Sequence, residues 1–142
     1  MKKFICVTLA LGMFAGIAMA SSLAVPAWRD VEANGWRGFI TLKNNTNSPV
    51  TLEVRYFEPQ GAEQTPAANT FVLNGQNSVN WRPATNDPGA EGAGNGIGDA
   101  TNRGNGSATI SWTGGPNDIQ GKYFEEIFVD GASYGYLLPP GL

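Results

Sequence analysis

Four oxygen-bearing side chains, Asp87, Glu91, Asn95 and Asp99, recur every fourth residue within a glycine-rich stretch, residues 83–106. Hard divalent cations take carboxylate and amide oxygens together with main-chain carbonyls, which a glycine-rich backbone can turn inward. These residues are candidate calcium ligands, and calcium is the one cofactor the sequence suggests. The other available chemistry is carbohydrate binding, in which sugar rings stack on exposed aromatic faces. Trp36, Trp81 and Trp112 fall on the inward phase of their segments and are expected in the core. Trp28, Tyr134 and Tyr136 remain as candidate sugar-binding residues.

Catalytic chemistry lacks its usual groups. The chain has no histidine, and its one cysteine, Cys6, lies in an apolar run near the N-terminus. Imidazole-based and thiol-based nucleophilic schemes are therefore missing, as are nitrogen and sulfur ligands for zinc. A glycosidase needs two carboxyl groups flanking one bond. Glu125 and Glu126 are adjacent, so on a strand they point to opposite faces, and Glu53 and Glu58 also fall on opposite phases. No catalytic residue is assigned, and the expectation is a protein that is not an enzyme.

Met1-Lys2-Lys3, the apolar stretch Phe4 to Ala18 and the small residues of Ala18-Met19-Ala20 form a signal-peptide pattern, with a cut expected after Ala20. The remainder, residues 21–142, has the length of one domain. Loss of Lys2 and Lys3 leaves seven basic against twelve acidic residues, a net charge of −5. Nucleic acid and anionic lipid require a basic stripe that such a chain does not offer. The apolar run is shorter than the ~20 residues that span a bilayer, and no second run follows. A secreted or periplasmic protein with no stable membrane span after cleavage is expected.

The elements that must position these groups have a period of two. Trp36, Gly38, Ile40 and Leu42 alternate with Arg37, Phe39, Thr41 and Lys43. Val50, Leu52, Val54 and Tyr56 alternate with Thr51, Glu53 and Arg55. The cluster Asn44 to Pro49 reads as the turn of a hairpin between them. Facing residue numbers that sum to 94 would set Tyr56 over Gly38 and pair Arg37 with Phe57 and Arg55 with Phe39. Asn74-Gly75-Gln76-Asn77 reads as a second hairpin turn, between 70–73 and 78–82, and Asp130-Gly131 as a third. Ser107 to Thr113 is a regular strand with Ala108, Ile110 and Trp112 inward, and Pro26 confines a first strand over 23–31 to a sheet edge. The last residues, Tyr134 to Leu142, are apolar enough to pack as a final strand. Helix periodicity and helix caps are absent after residue 20.

Seven or eight such strands predict an antiparallel β-sandwich, interrupted by a long Gly-rich loop at 83–106. Residues Ile40 to Phe57, two alternating strands about an Asn-rich turn, resemble the immunoglobulin-like modules of many bacterial exported proteins. That resemblance implies the sandwich architecture and no particular activity. Uncharged outward faces such as Ser107-Thr109-Ser111-Thr113 tolerate contact with copies of themselves, and terminal edge strands are natural docking elements. The expectation is a structural, adhesive or assembly protein of the cell envelope or extracellular matrix, with a protein partner or self-assembly. The alternative is a secreted module that binds calcium or carbohydrate.

Overall fold

Strands form where apolar residues alternate. The computed structural model describes residues 20–84, 97–101 and 104–141. These form β1 (Ala20–Arg29), β2 (Trp36–Asn44), β3 (Val50–Phe57), β4 (Thr70–Leu73), β5 (Ser78–Trp81), β6 (Asn105–Thr113), β7 (Ile119–Ile127) and β8 (Ala132–Leu137), with one 3-10 turn at Glu32–Asn34. They make two four-stranded antiparallel sheets, ordered β1-β6-β3-β4 and β5-β2-β7-β8. The sheets stack as a sandwich and do not close into a barrel. Each strand sends its alternate residues to the shared core. Ile40 and Leu42 from β2, Leu52, Val54 and Tyr56 from β3, Val79 and Trp81 from β5, and Ala108, Ile110 and Trp112 from β6 are all buried. The indole of Trp81 donates to the hydroxyl of Tyr56 at 2.8 Å, so these two buried polar groups satisfy one another.

Two of the three expected hairpins are absent. β2 pairs with β5 and β7, and β3 with β4 and β6, so the Asn-rich turn carries the chain from one sheet to the other. The corner is built on Asn44, which is fully buried. Its amide nitrogen donates to the carbonyls of Ser48 and Leu73, both at 2.9 Å, and of Asn74 at 3.2 Å, while its oxygen accepts the N–H of Thr46. One side chain thus ties the 44–48 corner to the 73–77 corner, where β4 likewise crosses to β5 rather than folding back on it. The pairing expected at a sum of 94 does not exist. The space above Gly38 is taken by the carbonyl of Arg29 and the hydroxyl of Tyr123, not by Tyr56. Arg55 lies over Phe57 on its own strand at 5.5 Å, Arg37 over Phe128 at 4.5 Å, and Phe39 packs on Phe124.

The third hairpin is present. β7 and β8 pair from Ile127↔Ala132 to Lys122↔Leu137. Residues 128–131 make the turn, and Gly131, at φ 68°, occupies the left-handed conformation that glycine accepts without strain. At the other end of the chain, β1 is an edge strand as its proline requires. Its pairing with β6 slips between Val25 and Trp28. The slip moves the inward phase from Leu23 and Val25 to Trp28, so Pro26 and Ala27 stay exposed while Trp28 enters the core.

Candidate functional site

The edge of β1 that faces away from β6 is sealed by residues from the far end of the chain. The Pro139 carbonyl accepts the Ala24 N–H at 2.9 Å, and the Gly141 N–H donates to the Ser22 carbonyl at 2.8 Å. Beyond the slip, tyrosine hydroxyls replace a strand. Tyr136 donates to the Ala27 carbonyl at 2.6 Å and lies 3.4 Å from its nitrogen. Tyr123 accepts the Arg29 N–H at 2.7 Å and lies 3.1 Å from its carbonyl. Such an edge offers no free ladder to another chain.

Glu125 stands at the centre of this corner. It shares the inward phase of β7 with Ile119 and Tyr123, and is 1% exposed. Its Oε2 accepts hydroxyls from Tyr123 at 2.7 Å and Tyr134 at 2.8 Å. Gly38 lies directly across the ladder from it, and a side chain there would collide with the Arg29 backbone and the Tyr123 hydroxyl. Burial pushes the Tyr123 hydroxyl well above its ordinary value, with the Glu125 bond adding to the rise against the opposing bond from Arg29. Tyr134 is raised by burial first and by Glu125 second. Tyr136 is raised by burial, against its bond to Ala27.

A cleft of about 350 Å³ opens at the same corner, lined by Trp28, Arg29, Gly106, Ser107, Glu125 and Tyr134 among others. Two of its lining side chains keep a buried polar atom without a partner, Nε1 of Trp28 and Oε1 of Glu125. Of the aromatic candidates, Trp28 and Tyr134 line the cleft, and Tyr136 is bonded to Ala27 at its rim. Their exposures differ. Tyr134 is 49% exposed, whereas Trp28 is 2% exposed and meets Tyr56 edge-on at 6.1 Å, so the indole faces belong to the core. Glu125 as the organising residue was not assigned from sequence. Its phase with Tyr123 was the available signal.

Of the four calcium candidates, Asp87, Glu91 and Asn95 lie outside the described residues. Asp99 is half-buried with one carboxylate oxygen unpartnered. Burial pushes its carboxyl up, the charge of Asp30 adds to this, and Arg82 opposes it. Among the described residues no group of three or more His, Cys, Asp or Glu could hold a metal ion. The described ends of the 83–106 segment are anchored: Ile97 and Ala100 are in the core, the Ala100 N–H donates to Pro83, and Asn105 and Gly106 already belong to β6. Beside them lies a buried ion pair, in which Arg82 donates from Nε and Nη2 to Asp30 Oδ1 at 3.0 and 2.5 Å, and from Nη1 to Glu32 at 3.0 Å. Residues 1–19 of the expected leader are outside the described residues; Ala20 opens β1 opposite Thr113.

The remaining sheet edges are β4, β5 and β8. The first two are four residues long. β8 has six, Ala132-Ser133-Tyr134-Gly135-Tyr136-Leu137, with neither charge nor proline, and Leu137 is 82% exposed. The Leu138 N–H donates to Gly121, which sets the alternation. Even-numbered residues of β8 bond to β7, and Ser133, Gly135 and Leu137 turn their N–H and C=O groups away from it.

The fold and this corner define an all-β sandwich domain without catalytic motifs, and no helix among the described residues is long and apolar enough to cross a membrane. No protein-family model matches the chain, and neither a curated protein nor a solved structure is significantly similar to it.

Proposed function

We propose that this chain is an exported, non-enzymatic β-sandwich, immunoglobulin-like in general architecture, that assembles into the cell envelope or extracellular matrix after removal of a leader ending at Ala20. The observation that carries the reading is the contrast between the two long edges. β1 is sealed along its length by Pro139, Gly141, Tyr136 and Tyr123. β8 lacks charge, proline and shortness, and among the described residues nothing covers its edge, so the devices that keep sheets apart are missing there. An edge left open beside one so thoroughly closed suits strand addition to a protein neighbour. Light scattering on the purified protein across concentration tests this. Mass should rise above the monomer as concentration increases, and a monomer at every concentration overturns the reading.

A second reading rests on the cleft. A sugar hydroxyl both donates and accepts, and so matches an unpartnered indole N–H and an unpartnered carboxylate oxygen beside the exposed Tyr134 ring. Titration with a panel of neutral oligosaccharides, followed by tryptophan fluorescence, should give a saturable change that Tyr134→Ala weakens. No change with any glycan removes this reading.

A further inference from the structure

We propose that the occupant of the open β8 edge is β8 of a second copy, joined about a two-fold axis through Gly135 to form one continuous eight-stranded sheet. This rests on the assembly reading above and specifies its partner.

The outward-turned residues choose the register. Antiparallel pairing of two identical strands requires facing numbers with a constant sum, and ladder bonds require the odd residues to face one another. A sum of 270 places Gly135 against Gly135 and Ser133 against Leu137 in both directions. All three outward residues then bond, giving about six main-chain hydrogen bonds. Sliding by one step to 268 or 272 leaves one of the three without a partner in the strand.

The side chains agree with that register on both faces. Within one copy, Glu126 pairs with Ser133, Phe124 with Gly135 and Lys122 with Leu137. Across the axis each outer row therefore reads Glu126, Ser133, then Leu137 and Lys122 of the second copy. Each of these outer rows sets one acid and one base about 14 Å apart at three strand spacings, with Arg37 beside Glu126 one strand further out, and no like charges face each other across the new seam. The central row sets two glycines between two Phe124 rings. Phe124 already reaches over Gly135, with Cδ2 3.6 Å from where a β-carbon would stand, so the rings cover the bare backbone. The inner face sets each Tyr134 opposite Tyr136 of the other copy, a cross-strand aromatic pair. Leu137, the most exposed large apolar side chain among the described residues, gains a neighbour.

The register is testable by disulfide trapping in a Cys6→Ser background, which removes the one native thiol. Ser133→Cys and Leu137→Cys are prepared separately, both at exposed positions, and oxidised alone and as an equimolar mixture. In the proposed register residue 133 faces 137, whereas 133 lies about 14 Å from its own copy, beyond the ~7 Å that a disulfide spans. The mixture should yield a covalent dimer that neither variant forms alone. Equal yields in all three samples, or no dimer in the mixture while scattering reports an assembled particle, overturn this pairing and leave the assembly reading standing. A monomer by scattering overturns both. As a second arm, the double variant Ser133→Lys/Leu137→Lys sets lysine against lysine across the axis and should lose the dimer with an unchanged circular dichroism spectrum. Retention of the dimer mass in that variant overturns the pairing.

Discussion

The hydroxyl of Tyr123 lies 2.7 Å from Oε2 of Glu125, two residues along the same strand, and the pair holds the β1 edge against the opposite sheet. The same hydroxyl receives the Arg29 N–H. Tyr123→Phe takes one of two hydroxyl donors from the buried Glu125 carboxylate and the acceptor from the Arg29 N–H, a combined cost of roughly 1–3 kcal/mol. Tyr136→Phe breaks a bond at an exposed position that water can replace, so it should cost only ~0.5–1.5 kcal/mol. Denaturant midpoints of the two variants should fall in that order. Equal loss from both would show that Glu125 is not held by Tyr123.

Alkaline pH should act through the same tyrosines. Tyr123, Tyr134 and Tyr136 all have values raised in the folded chain, so the fold holds their protons more tightly than the unfolded chain does. Their contribution is complete below the ordinary tyrosine value of 10.0 and is lost as pH climbs above it. Urea midpoints should therefore decline from about pH 10 upward. The decline should be shallower in Tyr123→Phe, and an unchanged slope in that variant would contradict the assignment.

Breaking the Asp30–Arg82 pair should be among the costliest single changes. Their side chains are 0% and 5% exposed, and Asp30→Ala leaves a buried guanidinium whose remaining ion-pair bond is to the half-exposed Glu32. A loss of about 3–5 kcal/mol is expected, most of it recovered when Arg82 is replaced by Met in the same chain. A double-mutant cycle reads the coupling directly.

Asn44→Ala removes three donated bonds and the acceptor for Thr46 at the junction of both crossovers. The expected loss in chemical denaturation is about 2–3 kcal/mol, because the carbonyl of Leu73 is left without this donor in a buried setting. A loss below about 0.5 kcal/mol, the scale of an ordinary surface substitution, would mean that the corner holds without it.

Asp99→Asn should stabilise the protein at neutral pH. Burial raises the folded value of this carboxyl, so its contribution is full below the unfolded value of 3.8 and is lost as pH rises through the folded value. The advantage of the amide should shrink as pH is lowered toward that value. A variant less stable than the parent at neutral pH would point to a partner that needs the charge.

Most core-facing residues were legible from alternation, and Val79, Trp81, Ala108, Ile110 and Trp112 are buried as their phase requires. Trp36, expected in the core on the same ground, is only half-buried with the Arg29 guanidinium 4.0 Å over its ring, and Trp28 is buried because the β1 slip moves it inward. Which strands pair was not legible. An inward phase is the same whether two strands lie side by side in one sheet or face each other across the core, so β2 and β3 satisfy the pattern of a hairpin without forming one. The deciding contact is the Asn44 amide reaching Leu73, twenty-nine residues away. The Asp130-Gly131 signal succeeded because there the turn and the pairing are local. At the corner site, Trp28, Tyr134 and Tyr136 announce themselves by residue type. The environment of Glu125 does not, because its hydroxyl donors and the Arg29 backbone behind them come from opposite ends of the chain.

The joining of Ser22 to Gly141 and of Ala24 to Pro139 also sets how the molecule answers to tension. The two segments run antiparallel, with the outermost described residues together at one end. Force applied between those ends would peel the bonds apart singly, as a zipper opens, instead of loading them side by side in shear. A fibre strung end to end from such units would yield at its weakest point, so durable tethering would have to pass laterally, through the flank of the sheet.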